Sequence, residues 1–473
     1  MKNIKIITLL TFILSIFIFT SCQEGDDKWI NSDINIDPNN PSDVTVNLLL
    51  PTTQGGLAYL MGGDIGRYNS LLTQHVGGLS RQHAGIDQYR LTEADVNNAW
   101  RFNLYSGPLF DLNTIIIKAG EEGSPHFVGA AKVLMALGLG ITTDLWGDIP
   151  YSQAFQGAAN LTPAYDTQEQ IYGTINTLLT EAVSDLGSTS NVRALSGDLI
   201  YGGSKSAWQK AANALKARYA IHLSKVNGAS AYTAALAAID AGAFASNADD
   251  MEFSFGSPAT EQNPWYQFLN QRQGDIAMGA FFVDLMKSIN DPRLPVFAAD
   301  KVDRAGTPDD DSDDDYFGSP AGVPNEKSSQ LGAYYGSPSS PVPMMSYVEQ
   351  KFIEAEAAFM TGNLQRAATA HNDAIIASIN KFGVFDQAYV DAQASETSAS
   401  LNLQKIMTHK YIALYTQSET WTDWRRTGIP ALQPSSGQNI PIRWPYPQDQ
   451  RLYNNENLPS GITIFSPPLW WDK

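Results

Sequence analysis

The chain has 473 residues and a formal net charge of −18, with 49 Asp and Glu against 31 Lys and Arg. That balance argues against a nucleic-acid surface, because phosphate binding needs a Lys/Arg surplus to release counterions, and no basic stripe interrupts the acidity. One cysteine rules out an internal disulfide framework and any Cys-based zinc or iron–sulfur site, so stability must come from packing.

Lys2 and Lys5 form a positive head, residues 6–20 are an uncharged apolar run, and Ser21 and Cys22 close it before Glu24, Asp26 and Asp27. The run is shorter than the about 20 residues a membrane span needs, and its layout is that of a secretory signal. A plain signal peptide with an incidental cysteine and an uncleaved anchor both fit this layout. A sharper reading is a bacterial lipoprotein. Phe19-Thr20-Ser21-Cys22 resembles a lipobox, with Phe19 where Leu is usual. Lipid chains on Cys22 would then anchor the protein, each buried methylene adding about 0.8 kcal/mol. On this reading residues 1–21 are the signal and 22–50 a lipidated N-terminus and tether, because "NIDPNNPSD" (35–43) would not hold a helix. Residues 51–473 follow as a single domain.

Helices are expected over 124–147, ending on Gly147, and over 167–187, where Ile171, Ile175, Leu178, Ala182 and Leu186 recur at helical spacing between a Thr167 cap and a Gly187 stop. Two more are expected over 206–226 and 231–243. From 245 to 345 the chain is dense in Gly, Pro, Ser and Asp, with one helical island near 278–289. A helix pair then spans 346–383 across a Gly362-Asn363 turn, a long helix covers 401–428, and the tail from 434 is irregular. Ala355, Ala357, Ala367 and Ala374 place small residues where the paired helices would cross, which resembles a tetratricopeptide plan and equally fits any antiparallel helical hairpin. Several such pairs point to an all-α helical scaffold with a loop-rich segment laid over it.

Motifs for chemistry are sparse. The histidines at 75, 83, 126, 222, 371 and 409 show no metal-ligand spacing, and no H-E-x-x-H or G-x-S-x-G occurs. "DDDSDDD" (309–315) offers Asp309, Asp311 and Asp313 as oxygen ligands for a structural calcium, but Asp314 and Pro320 break the EF-hand pattern, and a solvated loop is the favoured reading. No other cofactor is suggested. The aromatics Tyr89, Trp100, Trp265, Tyr266, Tyr316, Phe317, Tyr334 and Tyr335 fall in or near loops. Exposed rings among polar side chains would make a platform for the apolar C–H faces of sugars. The alternative is that each ring pins its loop to the core.

Taken together, the motifs resemble the SusD/RagB family of nutrient-binding outer membrane lipoproteins, closest to its SusD-like family 2 branch. They are "GGDIGRYNSLLTQHVGG" (62–78), "TTDLWGDIPYSQAFQG" (142–157), "PAYDTQEQIY" (163–172), "YGGSKSAWQKAANALKARYAIHLS" (201–224), "NDPRLPVF" (290–297), "VPMMSYVEQKFIEAEA" (342–357), "WTDWRRTGIPAL" (421–432) and the closing "LWWDK", in family order. The resemblance implies tetratricopeptide-like helical pairs, an irregular ligand-binding face and lipid anchoring on the outer face of the outer membrane. "QEGDD" after Cys22 is similar to the family's surface-export signal. A SusC-like TonB-dependent transporter is the implied partner, an oligosaccharide or in some members a peptide the cargo, and no catalysis is implied; a surface glycoside hydrolase is the more distant reading. Trp421, Asp423, Trp424, Arg425 and Arg426 are expected to be structural, giving an aromatic anchor and an Arg–carboxylate pair. Cys22→Ser is expected to leave an unlipidated precursor; normal labelling of that variant by a fatty-acid probe would contradict the lipobox reading.

Overall fold

The computed structural model describes residues 44–299, 315–437 and 439–473. Cys22 and the triad Asp309, Asp311 and Asp313 lie outside them. The first helix, α1 (Val46–Gly62), begins inside the stretch expected to be tether. Pro51 conceals it in the sequence, since an internal proline reads as a helix breaker. Burial of Val46, Leu50, Leu57 and Leu60 holds the helix nonetheless.

Next come α2 (Asp64–Leu72), β1 (Val76–Gly78), α3 (Arg81–Asp87), α4 (Pro108–Glu121) and α5 (Pro125–Trp146). Then α6 (Gln168–Leu186) starts from a full capping box: the Thr167 side chain accepts from the Gln170 amide, and the Gln170 side chain accepts from the Thr167 amide. It is followed by α7 (Lys205–His222) and α8 (Ala229–Asp240). The loop-rich segment carries β2 (Met251–Phe253), α9 (Pro264–Gln271), β3 (Ile276–Met278), α10 (Ala280–Ser288) and β4 (Val342–Met345). The helical pair α11 (Tyr347–Met360) and α12 (Leu364–Lys381) comes after it. Neighbours stack in order: α4 on α5, α5 on α6, α6 on α7, α7 on α8, α8 on α11 and α11 on α12. The expected helical scaffold is therefore present, and residues Val46–Lys473 form one compact unit. Two short antiparallel ribbons join distant parts of it, β1 with β3 and β2 with β4.

The single helix expected over 401–428 is two, α13 (Leu403–Ala413) and α14 (Glu419–Thr427). The break is held by His75. Its Nδ1 accepts from the Thr416 amide at 3.3 Å, so its Nε2 carries the proton and donates to the Tyr411 carbonyl at 3.1 Å. Burial lowers the His75 pKa to about 3, which keeps the ring neutral for this clamp. Thr416 is left with φ of 65°, a conformation a helix cannot contain. Among the described residues the tail adds one short α-helix, α15 (Gln448–Tyr453), and two 3-10 turns, Ser435–Gly437 and Trp470–Asp472.

α5 is apolar and long enough to cross a membrane by length and composition, and here it is the central core helix, with 89% of its most apolar window buried. Ala355, Ala357, Ala367 and Ala374 are fully buried, as the crossing argument requires. Gly140 extends the same logic to α5, because a methyl there would overlap the Tyr219 ring of α7. Overpacking of this kind costs about 1–3 kcal/mol. Gly140→Ala is expected to lower the unfolding free energy by about that much in urea titration; an unchanged midpoint would contradict the close approach.

Candidate ligand-binding cleft

Four of the eight aromatics expected to face a ligand are core residues: Tyr89, Trp100, Trp265 and Tyr335 are at most 5% exposed. This corrects their exposed-platform reading. The Tyr89 hydroxyl accepts from the Ser435 amide at 2.8 Å, and Trp100 packs edge-on to Trp146 at 5.1 Å. Trp265 follows the Asn263 cap of α9, and Tyr335 packs against Phe297 and Tyr415. A loop too polar to bury its own backbone is pinned by such rings. Tyr266, Tyr316, Phe317 and Tyr334 are partly buried. Tyr334 stands edge-on to Tyr335 and Phe382, whereas Phe317 lies under the Lys287 ammonium at 4.9 Å. Tyr334 and Tyr335 are in ring contact with each other.

A different set of residues lines a cavity of about 220 Å³: Asp64 and Arg67 from α2, Arg81, Gln82 and His83 from α3, and Phe268, Arg272 and Asp275 from α9 and the turn after it. The β1–β3 ribbon assembles it. Gly78 pairs with Ile276, so the residues just beyond each strand end, Leu79 and Asp275, meet. The Leu79 amide donates to the Asp275 carbonyl at 2.8 Å, and the Ser80 hydroxyl donates to Asp275 Oδ1 at 2.8 Å. Any side chain at Gly78 would strike the His83 carbonyl, so glycine lets α3 fold back against the ribbon. Arg81 sits at φ of 52°, a left-handed conformation costing a non-glycine residue about 1–3 kcal/mol. From there its guanidinium bonds the buried Asp275 carboxylate.

Arg67 lies over the Phe268 ring, 4.4 Å from its centroid, and donates to Asp64 Oδ1 at 2.6 Å. The His83 ring meets the Phe268 ring edge-on at 4.7 Å. Burial, and then the charge of Arg67, lower the His83 pKa to about 4 despite the nearby Asp275, so the ring is neutral at pH 7. Both His83 nitrogens and Arg67 Nε are buried without a hydrogen-bond partner among the described residues. Such groups are costly unless something completes them. An aromatic ring flanked by guanidinium and carboxylate groups suits a ligand with apolar faces and many hydroxyls. Among the described residues no group of three or more His, Cys, Asp or Glu is placed to hold a metal ion.

The sequence offered one signal for this cleft, the motif at 62–78 that contains Asp64 and Arg67. The other lining residues carry no motif and meet only through a three-residue strand pairing.

A family model described as "Starch-binding associating with outer membrane" (SusD-like_2) matches residues 38–447. A solved structure described as a chitin-binding protein is 25% identical, with a TM-score of 0.79 over 91% of this chain and 100% of its own. A SusD/RagB family protein from Bacteroides thetaiotaomicron is also 25% identical, with a TM-score of 0.76 over 91% of this chain and 99% of its own. A chitin-binding SusD homologue from Flavobacterium johnsoniae shares the fold at 23% identity, with a TM-score of 0.73 over 89% and 98% of the two chains. No curated protein matches the chain.

Trp265→Ala and Tyr335→Ala are expected to destabilise the protein by about 3–5 kcal/mol, as truncation of large core rings does. Thermal melts that leave either variant at the wild-type midpoint would return that residue to the surface.

Proposed function

The chain belongs to the SusD-like family of nutrient-binding, outer-membrane-associated proteins, and from that premise we propose that it captures an oligosaccharide in the Arg67–Phe268–Asp275 cleft. It passes the cargo to a SusC-like TonB-dependent transporter and is held at the extracellular face by lipid on Cys22. The reading contains no catalytic step.

The observation that carries it is the stack of the Arg67 guanidinium on the Phe268 ring beside Asp64 and Asp275 within one walled cavity. Sugar rings offer C–H faces to the aromatic ring and paired hydroxyls to the charged groups. The chitin-binding description of a 25% identical structure supports a glycan as cargo. Tyr266, Tyr316, Phe317 and Tyr334, which are only partly buried, stay in the proposal as outlying contacts for a longer chain.

Isothermal titration against oligosaccharides and peptides tests the reading. Heat with an oligosaccharide, weakened about 10-fold or more in Phe268→Ala at an unchanged melting midpoint, is the expected result, since a desolvated aromatic contact contributes on the order of 1–3 kcal/mol. Heat with peptides alone would overturn it.

A further inference from the structure

The hydrogen-bonding capacity left open in the cleft is richer in donors than in acceptors. Asp275 Oδ1 takes the Ser80 hydroxyl and the Arg81 guanidinium, Oδ2 lies 3.5 Å from His83 Nδ1, and the carboxylate is only 2% exposed. Asp64 Oδ1 is held by Arg67. Donors remain free. Arg67 Nε is buried and unpartnered. The exposed Arg81 side chain uses one terminal nitrogen on Asp275 and keeps the rest of its fork. Arg272, on the rim, makes no side-chain hydrogen bond or ion pair with any described residue; its backbone amide donates to the Phe268 carbonyl and its carbonyl accepts from the Asp275 amide. With His83 neutral, three guanidiniums face two carboxylates, so the cavity is net positive within a chain of charge −18. A neutral sugar can accept from these donors through its hydroxyl and ring oxygens but brings no charge to offset the guanidiniums. Buried donors without acceptors cost free energy, and a fixed guanidinium fork is best met by a planar or tetrahedral oxyanion.

We propose that the cargo is an anionic oligosaccharide, bearing uronate carboxylates or sulfate esters, and that Arg272 is the group that selects it. The inference rests on the reading of the cleft as a glycan site and narrows it. Arg67 and Phe268 hold the ring, and Arg272, unpaired until the ligand arrives, takes the charged substituent. Since Arg272 is exposed and unbonded, replacing it leaves the fold intact, which separates its effect from that of the structural ion pairs.

The test is a glycan array of neutral, uronate-bearing and sulfated oligosaccharides, followed by titration of the bound class with wild type, Arg272→Lys and Arg272→Glu at low and high salt. Uronate or sulfated ligands should bind, the two arms telling which oxyanion is read. Arg272→Glu should weaken binding at least 10-fold, Arg272→Lys should weaken it less because it keeps the charge but loses the fork, and added salt should reduce wild-type affinity. Selective binding of neutral glycans, or equal affinity in Arg272→Glu, overturns the anionic assignment while leaving glycan capture in place. Binding of acidic peptides with no glycan bound at all overturns both.

Discussion

A seam of buried ion pairs fixes the distances between the helical pairs, and the rest of the molecule hangs from it. Arg218 of α7 forms a two-point pair with Glu349 of α11 and also donates to the Met344 carbonyl of β4 at 2.8 Å. His222 sits between Asp144 of α5 and Glu419 of α14. Burial alone would lower the His222 pKa, but the two carboxylates outweigh it and raise it to about 9, so the imidazole stays charged in the core. Arg426 of α14 bridges Glu356 and Asp423, and Lys410 closes the group on Asp423 at 2.6 Å. Taking one partner from such a pair strands a buried charge at about 3–5 kcal/mol, whereas the intact pair is far closer to neutral. The seam therefore contributes less to net stability than to register, since a shift between α5, α7, α11 and α14 would part these buried pairs. The Arg425 guanidinium, stacked on Trp421 of the same helix at 3.8 Å, donates to the Asp144 carbonyl at 2.7 Å and so ties α14 to α5.

This register reaches the cleft through α2. α14 packs on α2, and Trp444 from the tail donates to Asn69 of α2 at 3.1 Å. One wall of the cleft, carrying Asp64 and Arg67, thus rests on the rigid scaffold. The opposite wall, with Phe268, Arg272 and Asp275, belongs to the loop-rich segment and is tied down at the β1–β3 ribbon. A scaffold-held wall facing a loop-held wall lets a common helical frame carry different binding chemistries, because the loop wall can vary without disturbing the seam.

Local signals were legible in the sequence and long-range ones were not. The Thr167 cap, the Gly147 stop and the alanines at helix crossings are written within a few residues, and the structure has them. The tether boundary failed because Pro51 outweighed the apolar spacing around it, and the long final helix failed because His75, far away in sequence, captures the break at Thr416. The aromatics misled for a related reason. Irregular segments cannot bury area through periodic faces, so they do it with single large rings, and density of Trp and Tyr in a loop marks anchoring as readily as exposure. Trp265 and Tyr335 are anchors of this kind. Apart from Asp64 and Arg67 in the motif at 62–78, the cleft residues carry no pattern, and the ribbon brings them together.

The central claim is that ligand is held between Arg67, Phe268 and Arg272. A crystal structure of the protein with an oligosaccharide that binds in solution tests it most directly. The account predicts a sugar ring against Phe268 with hydrogen bonds to the arginines. A ligand lying instead over Tyr316 and Phe317, with the Arg67–Phe268 stack undisturbed and the cavity free of sugar, would contradict it.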